Sequence, residues 1–173
     1  MNEFWRSPEA VTQAVRMARS HRHWLGRDLF PGVSDSRALA EVLFEAPFVL
    51  VSHGTQPDPI LNYGNRTALR LWELAWPDFT RTPSRLTAEP VAREERARLL
   101  DEVTRNGFIA NYAGVRISSR GHRFCIHQAL VWNLLDETGA YAGQAAMFAH
   151  WDFLDGASGV PADRRAASPT THP

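Results

Sequence analysis

The C-terminal half of the chain restricts the fold most, because it carries three long segments of strand-forming residues joined by short links. The segments run from Phe108 to Ser118, from Arg123 to Leu135 and from Tyr141 to Phe153. Branched and aromatic residues are frequent in them, as is typical of strands. The links, Ser119 to Gly121 and Asp136 to Gly139, consist of turn-forming residues. The pattern predicts a three-stranded antiparallel meander.

The N-terminal segment has helical rather than strand-like spacing. Ser7-Pro8 is a typical helix start, and the helix is expected to reach about Gly26. A second cap at Asp35 begins a shorter helix, which Pro47 closes because the residue before a proline avoids the helical region. Residues 1–45 are therefore predicted to form a helical extension.

Between this extension and the meander, two short strands and further helices are expected. Phe48 to Ser52 and Pro59 to Tyr63 are compact apolar runs separated by turn residues. Asn65 stands where a helix cap belongs, and Arg93 to Asn106 has helical spacing that ends in Asn-Gly.

The order of these elements predicts an α+β protein with an antiparallel five-stranded sheet, helices on one face and additional N-terminal helices. A parallel doubly wound sheet is excluded, because strands and crossover helices do not alternate. Beyond Leu154 the chain is poor in apolar residues, so the tail of residues 155–173 is predicted to be disordered.

Composition excludes several classes of function. The 19 basic residues balance the 19 acidic ones, so no overall positive field favours direct binding of nucleic acid. The basic residues are all arginine, which removes Schiff-base chemistry on lysine. A single cysteine permits no internal disulfide, and no export signal or membrane-spanning stretch is visible. A cytoplasmic protein without membrane contact is expected.

The residues after the second strand, Tyr63-Gly64-Asn65 with Ala68 and Leu69, resemble the PAS superfamily at the same place. The closer resemblance is to the MEKHLA family of PAS-like modules, of the type that stands alone in bacteria. That family also forms the C-terminus of plant class III homeodomain leucine-zipper factors. The segments that carry the resemblance are Ala46 to Gly54, Asn106 to Phe108, Gly114 to Ser118, Ala129 to Leu135 and Phe148 to Phe153.

The resemblance covers residues 15 to 154, although the hexapeptide that names the family is absent. It implies a PAS-like domain over residues 46–154, with the family region beginning about residue 15 inside the extension. It also implies a sensory or ligand-binding role, and it supplies no catalytic residues.

The sequence gives no reason to expect a cofactor. Flavin-binding photosensory members of the superfamily carry a cysteine motif where this chain has Thr82 to Leu86, which holds no cysteine. Haem-binding members commonly use a histidine on the long helix, but Arg93 to Asn106 contains none. Neither a covalent flavin adduct nor haem is therefore predicted.

Strict alternation along Arg123 to Leu135 predicts which side chains line a cavity between sheet and helices. It places Gln128 and Trp132 inside with the apolar neighbours Phe124, Ile126 and Leu130. Gln128, together with Asn111 on the adjacent strand, is then the best polar candidate for contacting a ligand. The alternative is that Gln128 only binds core backbone.

Two histidines complete the candidate pocket. His53 follows the first strand and His150 lies in the last, and these strands are neighbours in PAS folds. A purely structural role in hydrogen bonding is the alternative for both.

The opposite face of the same strand is predicted to carry Cys125, His127 and Asn133 outward. A thiol beside an imidazole can form a nucleophile pair or two ligands of a metal ion, but no third partner is evident. No catalytic residue and no metal site is therefore assigned.

The sequence thus predicts a sensory module that binds an unidentified small molecule non-covalently, a protein partner, or both. A small enzyme using the same cavity and a pure assembly module are the alternatives. A homodimer is expected through the N-terminal helix, because Phe4, Trp5 and Trp24 flank its apolar stripe and need covering. The stripe could instead fold back onto its own sheet.

Overall fold

A computed structural model describes residues 3–154, so the predicted disordered tail lies outside the described residues. The helices are α1 (Pro8–Leu25), α2 (Ser36–Phe44), α3 (Arg66–Trp72), α4 (Trp76–Phe79) and α5 (Pro90–Asn106). The strands are β1 (Val49–His53), β2 (Leu61–Gly64), β3 (Phe108–Ile117), β4 (Arg123–Leu135), β5 (Tyr141–Phe148) and β6 (His150–Phe153). Short 3-10 helices lie at Phe4–Arg6 and Ser84–Thr87. Within this part of the chain, no helix is both long enough and apolar enough to cross a membrane.

All strands pair antiparallel in one sheet of order β2-β1-β5-β4-β3, and β6 pairs with β4. The α+β PAS-like fold predicted from the sequence is confirmed. The sheet has six strands rather than the five expected, because the last predicted strand is interrupted at Ala149. The register does not change there: Leu130 pairs with Met147, and His127 pairs with His150.

Strands β3 and β4 each contain an irregularity at a residue in the left-handed backbone region. Asn111 in β3 has φ 57° and Gln128 in β4 has φ 52°. Ile126 and Ala129 are three residues apart in β4, but their partners in β3, Gly114 and Tyr112, are two residues apart. The extra residue in β4 makes a β-bulge at Gln128. The bulge shifts the alternation of β4, so even-numbered residues face one side before Gln128 and the other side after it.

We call the side of the sheet that carries Val51, His53, Ala146 and Phe148 the inner face, and its reverse the outer face. Helices α3 to α5 cover the inner face, where the packed core includes Ala68, Trp72, Phe79 and, on α5, Leu99. Helices α1 and α2 cover the outer face over Leu50, Leu130 and Trp132. The helices therefore lie on both faces of the sheet, and the N-terminal pair forms a second core.

The N-terminal aromatic residues are covered by this second core. Trp5 is 7% exposed, Phe4 stacks on Trp76, and Trp24 Nε1 donates to the Asn133 carbonyl oxygen over 2.9 Å. The aromatic stripe folds back onto its own sheet, so the reason for expecting a homodimer through it no longer holds.

Asn65 caps α3 as predicted, and it also links three other segments. Its Oδ1 accepts from the Ala68 and Leu50 amides, both at 3.1 Å. Its Nδ2 donates to the Leu43 carbonyl at 3.1 Å and the Phe48 carbonyl at 2.8 Å. The side chain is fully buried, so it fixes α2, β1 and α3 relative to one another.

Candidate functional site

A cavity lies between the inner face and helices α3 to α5. Its volume is about 60 Å³, which is room for about five waters. Most of its wall is apolar, which is typical of small-molecule sites. Its wall includes the polar side chains of His53, Ser84, Arg96, Tyr112, Arg116 and Gln144. The other lining residues include Val51, Trp72, Ile126, Val131, Ala146 and Phe148.

Three residues of this wall hold buried polar atoms without a hydrogen-bond partner in the described part of the chain. They are His53 Nε2, Gln144 Oε1 and Trp72 Nε1. His53 Nδ1 lies 2.9 Å from the Gly54 carbonyl, which only accepts, so Nδ1 carries the hydrogen and Nε2 is an acceptor in the neutral ring. Burial lowers the pKa of His53, and the Gly54 hydrogen bond and the nearby Gln144 side chain only partly oppose this, so the neutral ring is favoured. In that ring Nε2 and Gln144 Oε1 are both acceptors, so neither can satisfy the other.

Gln144 is held in one orientation by its amide nitrogen. The two hydrogens of Nε2 are shared among three acceptors, the Leu100 carbonyl at 2.9 Å, Thr104 Oγ1 at 3.0 Å and Asn133 Oδ1 at 3.1 Å. These contacts leave Oε1 as the atom without a donor. Buried polar atoms are nearly always hydrogen-bonded in proteins, so the wall of the cavity offers groups that a bound molecule can satisfy.

Two arginines, Arg96 of α5 and Arg116 of β3, also line the cavity. Arg116 is 7% exposed and donates to its neighbouring Val115 carbonyl at 2.8 Å and to the Tyr112 hydroxyl at 3.2 Å. Arg96 is partly buried and donates to Ser84 Oγ. Burial and the nearby charge of Arg116 lower the pKa of Arg96 to about 10, so Arg96 remains charged at neutral pH.

Gln128 and Asn111 do not line the cavity, and the prediction that they do is wrong. Both side chains are exposed. Each residue is the extra one of a bulge, with positive φ, and a bulged residue is unpaired and turned out of the regular alternation. Strict alternation through β4 therefore failed at Gln128 itself.

The same shift moves Trp132 and Asn133 to the faces opposite those predicted. Trp132 is fully buried, but it lies on the outer face, where Nε1 donates to the Met17 carbonyl at 3.2 Å. Asn133, predicted to point to solvent, is buried on the inner face and donates to the Val103 carbonyl at 2.9 Å. Trp132 is consequently a core residue beneath α1 and not a pocket residue.

Of the two histidines, the structure places only His53 at the cavity. His53 is buried on β1, opposite Gln144 of β5. His150 lies on β6, which pairs with β4 and not with β1, and its side chain is partly exposed opposite His127. The expected proximity of His53 and His150 is therefore wrong, because the break at Ala149 separates β6 from the strand that borders β1.

His127 does have a third partner that the sequence did not reveal. Its Nε2 lies 2.9 Å from Asp152 Oδ2, and Asp152 is directly opposite Cys125. The Cys125 thiol, however, contacts the Ile126 carbonyl at 3.8 Å and not the imidazole, so no nucleophile and base are joined. Among the described residues, no group of three or more candidate ligands could hold a metal ion.

Sequence reasoning missed the polar residues that do line the cavity, apart from His53. A signal for Arg96 exists, since it lies on α5 at helical spacing from the buried Leu99 and Val103. Arg116 lies in a strand whose alternation is broken at Asn111, so its face could not be assigned from the period alone. Gln144 carries no distinguishing signal beyond its place in a strand.

The bulge itself makes a testable prediction. Gln128→Gly is expected to leave stability unchanged or raise it by up to about 1 kcal/mol, because glycine accepts positive φ without steric strain. Gln128→Val should lower it by about 1 to 2 kcal/mol, because a branched residue strongly disfavours that region. Urea unfolding followed by circular dichroism measures both changes.

Ala113 of β3 is the matched control, since it is exposed on the neighbouring strand and has negative φ. There the order should reverse, with valine tolerated and glycine destabilising by about 0.5 to 1 kcal/mol. Equal responses to glycine at residues 113 and 128 would contradict the bulge.

Comparison with known proteins places the chain among homologues. A family model described as the MEKHLA domain matches residues 11–153. The homeobox-leucine zipper protein ATHB-14 of Arabidopsis thaliana is 27% identical over 154 residues, which cover 86% of this chain and 18% of that protein. HOX33 of Oryza sativa subsp. indica, also a homeobox-leucine zipper protein, is 24% identical over 149 residues, covering 86% and 17%. The chain thus spans less than a fifth of the length of these relatives.

Solved structures show the same fold at low identity. The PAS domain of a protein from Colwellia psychrerythraea is 13% identical, with a TM-score of 0.58, covering 68% of this chain and 95% of that one. A light-oxygen-voltage domain studied with a flavin analogue is 15% identical, with a TM-score of 0.54, covering 69% and 86%. These likenesses establish the architecture of the sheet and its helices.

Proposed function

The chain belongs to the MEKHLA domain family and has a PAS fold, and from this we propose that it is a sensory module that takes up a small molecule. The observation that carries the proposal is the inner-face cavity with its unpartnered polar atoms. His53 Nε2, Gln144 Oε1 and Trp72 Nε1 belong to side chains that line this cavity. Each atom is buried and has no hydrogen-bond partner among the described residues. A bound molecule that offers donors to His53 Nε2 and Gln144 Oε1 and an acceptor to the Trp72 indole N–H would satisfy them.

The size of the cavity limits what it takes. About 60 Å³ is far below the roughly 300–1,000 Å³ of sites for drug-sized ligands. The proposed ligand is therefore a metabolite of a few non-hydrogen atoms, bound without a covalent link. A large planar cofactor such as flavin or haem exceeds this space.

The proposal predicts that a low-molecular-weight fraction of cell extract binds in the cavity. Added to the ¹⁵N-labelled full-length chain, this fraction should shift the amide resonances of Val131, Ala146 and Phe148, which line the inner face. Ala146→Leu should abolish these shifts, because the added carbon atoms occupy space of the same order as the cavity. The absorption spectrum of the purified protein should show no visible band.

Ala113→Leu is the control, since it places the same side chain on an exposed position of the neighbouring strand. It should leave the shifts intact. Shifts that are confined to the outer face, or that survive Ala146→Leu in a folded protein, would argue against a ligand in the cavity.

A further inference from the structure

We propose that the ligand of the inner-face cavity is a small carboxylate anion, held by the guanidinium groups of Arg96 and Arg116. This inference rests on the function proposed above and specifies its ligand class. Two cationic side chains line the cavity, and no lining residue in the described part of the chain is an aspartate or glutamate.

The positive charges of Arg96 and Arg116 are not balanced by an anionic side chain of the described residues. Arg116 is 7% exposed and, like Arg96, forms no ion pair with any of the described residues. Buried charges are ordinarily paired, because removing a charge from water without a counter-ion is strongly unfavourable. The two guanidiniums also repel each other, as the effect of Arg116 on the pKa of Arg96 indicates. An anion placed between them would remove both penalties.

The second argument is hydrogen-bonding capacity. Each guanidinium has five N–H donors, whereas the described residues engage two from Arg116 and one from Arg96. The partners of these donors are a carbonyl and two hydroxyl groups, on Val115, Tyr112 and Ser84, so none of them is anionic. Carboxylates match the planar fork of arginine and accept two parallel hydrogen bonds from it.

The third argument concerns the rest of the ligand. The wall beyond the arginines is mostly apolar, with Ile126, Val131 and Phe148 contributing side chains. Such a wall suits a short hydrocarbon body better than the second charge and full hydration of inorganic phosphate. The volume, about 60 Å³, limits the whole molecule to roughly five non-hydrogen atoms, by the space that a water takes. Propionate has this size and is the probe for the arginine pair, whereas a ligand that also satisfies His53 Nε2 and Gln144 Oε1 carries a hydroxyl or amino donor beside its carboxylate.

The test is a titration of the ¹⁵N-labelled full-length chain with sodium propionate, and separately with propionamide and sodium phosphate. Propionate should shift the Val131 and Ala146 amides saturably, and propionamide, of the same shape without charge, should bind at least about tenfold more weakly. Arg116→Gln and Arg96→Gln should each weaken propionate about tenfold or more. Arg105→Gln is the control, because Arg105 is exposed on the same helix α5 and pairs with Asp101.

Thermal unfolding is a second readout. In the absence of ligand, Arg116→Gln should unfold at a temperature no lower than the wild type, because it removes a buried charge that has no counter-ion. Propionate should raise the unfolding temperature of the wild type and of Arg105→Gln, but not that of Arg116→Gln. Should Arg116→Gln fail to fold, Arg96→Gln decides the question, since its side chain is only partly buried.

The outcomes separate this inference from the proposed function. Equal binding of propionate and propionamide, tighter binding of phosphate, or undiminished binding in both arginine variants would overturn the carboxylate while the cavity kept its role. If none of the three probes shifts any inner-face amide, the carboxylate inference fails. If the cell-extract fraction is then also without effect, the proposed function fails with it.

Discussion

Replacing Asn65 with alanine is expected to lower the free energy of unfolding by about 4 kcal/mol, from four lost hydrogen bonds at about 1 kcal/mol each. The side chain is fully buried and binds the Leu50 and Ala68 amides and the Leu43 and Phe48 carbonyls. Alanine offers none of these bonds and leaves the backbone groups without this partner. Urea unfolding of the full-length chain, followed by tryptophan fluorescence, measures the change.

Asp35→Ala is the matched control, because Asp35 caps α2 and makes only the one cap bond, to the Ala38 amide at 2.9 Å. Its loss should cost about 1 kcal/mol. The difference between the two variants measures what Asn65 contributes beyond capping. If Asn65→Ala were no more destabilising than Asp35→Ala, the linking role of Asn65 would be refuted.

Trp132→Ala is the second change with a large expected effect, a loss of about 3 to 5 kcal/mol. The indole is fully buried between α1 and the outer face. It packs edge-on against His21 at 5.3 Å between ring centroids, and its Nε1 donates to the Met17 carbonyl. Alanine would leave a cavity beneath α1 and remove the additional hydrogen bond to the Met17 carbonyl. Thermal and urea unfolding should both detect the loss.

His127→Ala on the same strand provides the comparison. Its ion pair with Asp152 is solvent-exposed, with side-chain exposures of 41% and 78%, and such pairs contribute about 1 kcal/mol or less. A variant series in which His127→Ala is more damaging than Trp132→Ala would mean that β4 has the opposite register. Because Trp132 lies outside the cavity, Trp132→Ala should also leave propionate affinity unchanged in the protein that remains folded.

The architecture could be predicted because its signals are local. Turn residues between long strand-like segments predicted the meander, and Ser7, Asp35 and Asn65 each cap the helix that they were expected to cap. The position of the N-terminal helices could not be derived in this way. Their apolar stripe is equally compatible with a second copy and with the chain's own sheet, and only the tertiary fold decides between them.

The site was harder to predict, because its residues converge from β1, β3, β5 and α5. Period-2 alternation assigns faces only while a strand stays regular, and one bulge was enough to misplace Gln128 and Trp132. His53 was found because it directly follows the short apolar run Phe48 to Ser52, which marks the first strand. Arg96 lies at helical spacing from Leu99 and Val103, whereas Arg116 resembles an ordinary surface arginine in a chain whose basic residues are all arginine, so its burial becomes apparent only in the fold.

The paired irregularity at Gln128 and Ala149 restricts how chains of this family can change in length. The register between β4 and the β5–β6 segment is the same on both sides of the break. The extra residue of β4, Gln128, is therefore matched by an extra residue in the paired segment, Ala149. Deleting Gln128 alone would leave Ala149 without a counterpart and turn one half of the strand pair to the wrong face. Deleting both would restore regular pairing and keep every flanking side chain on its present face. We therefore expect insertions and deletions here to be tolerated as pairs, one in each strand.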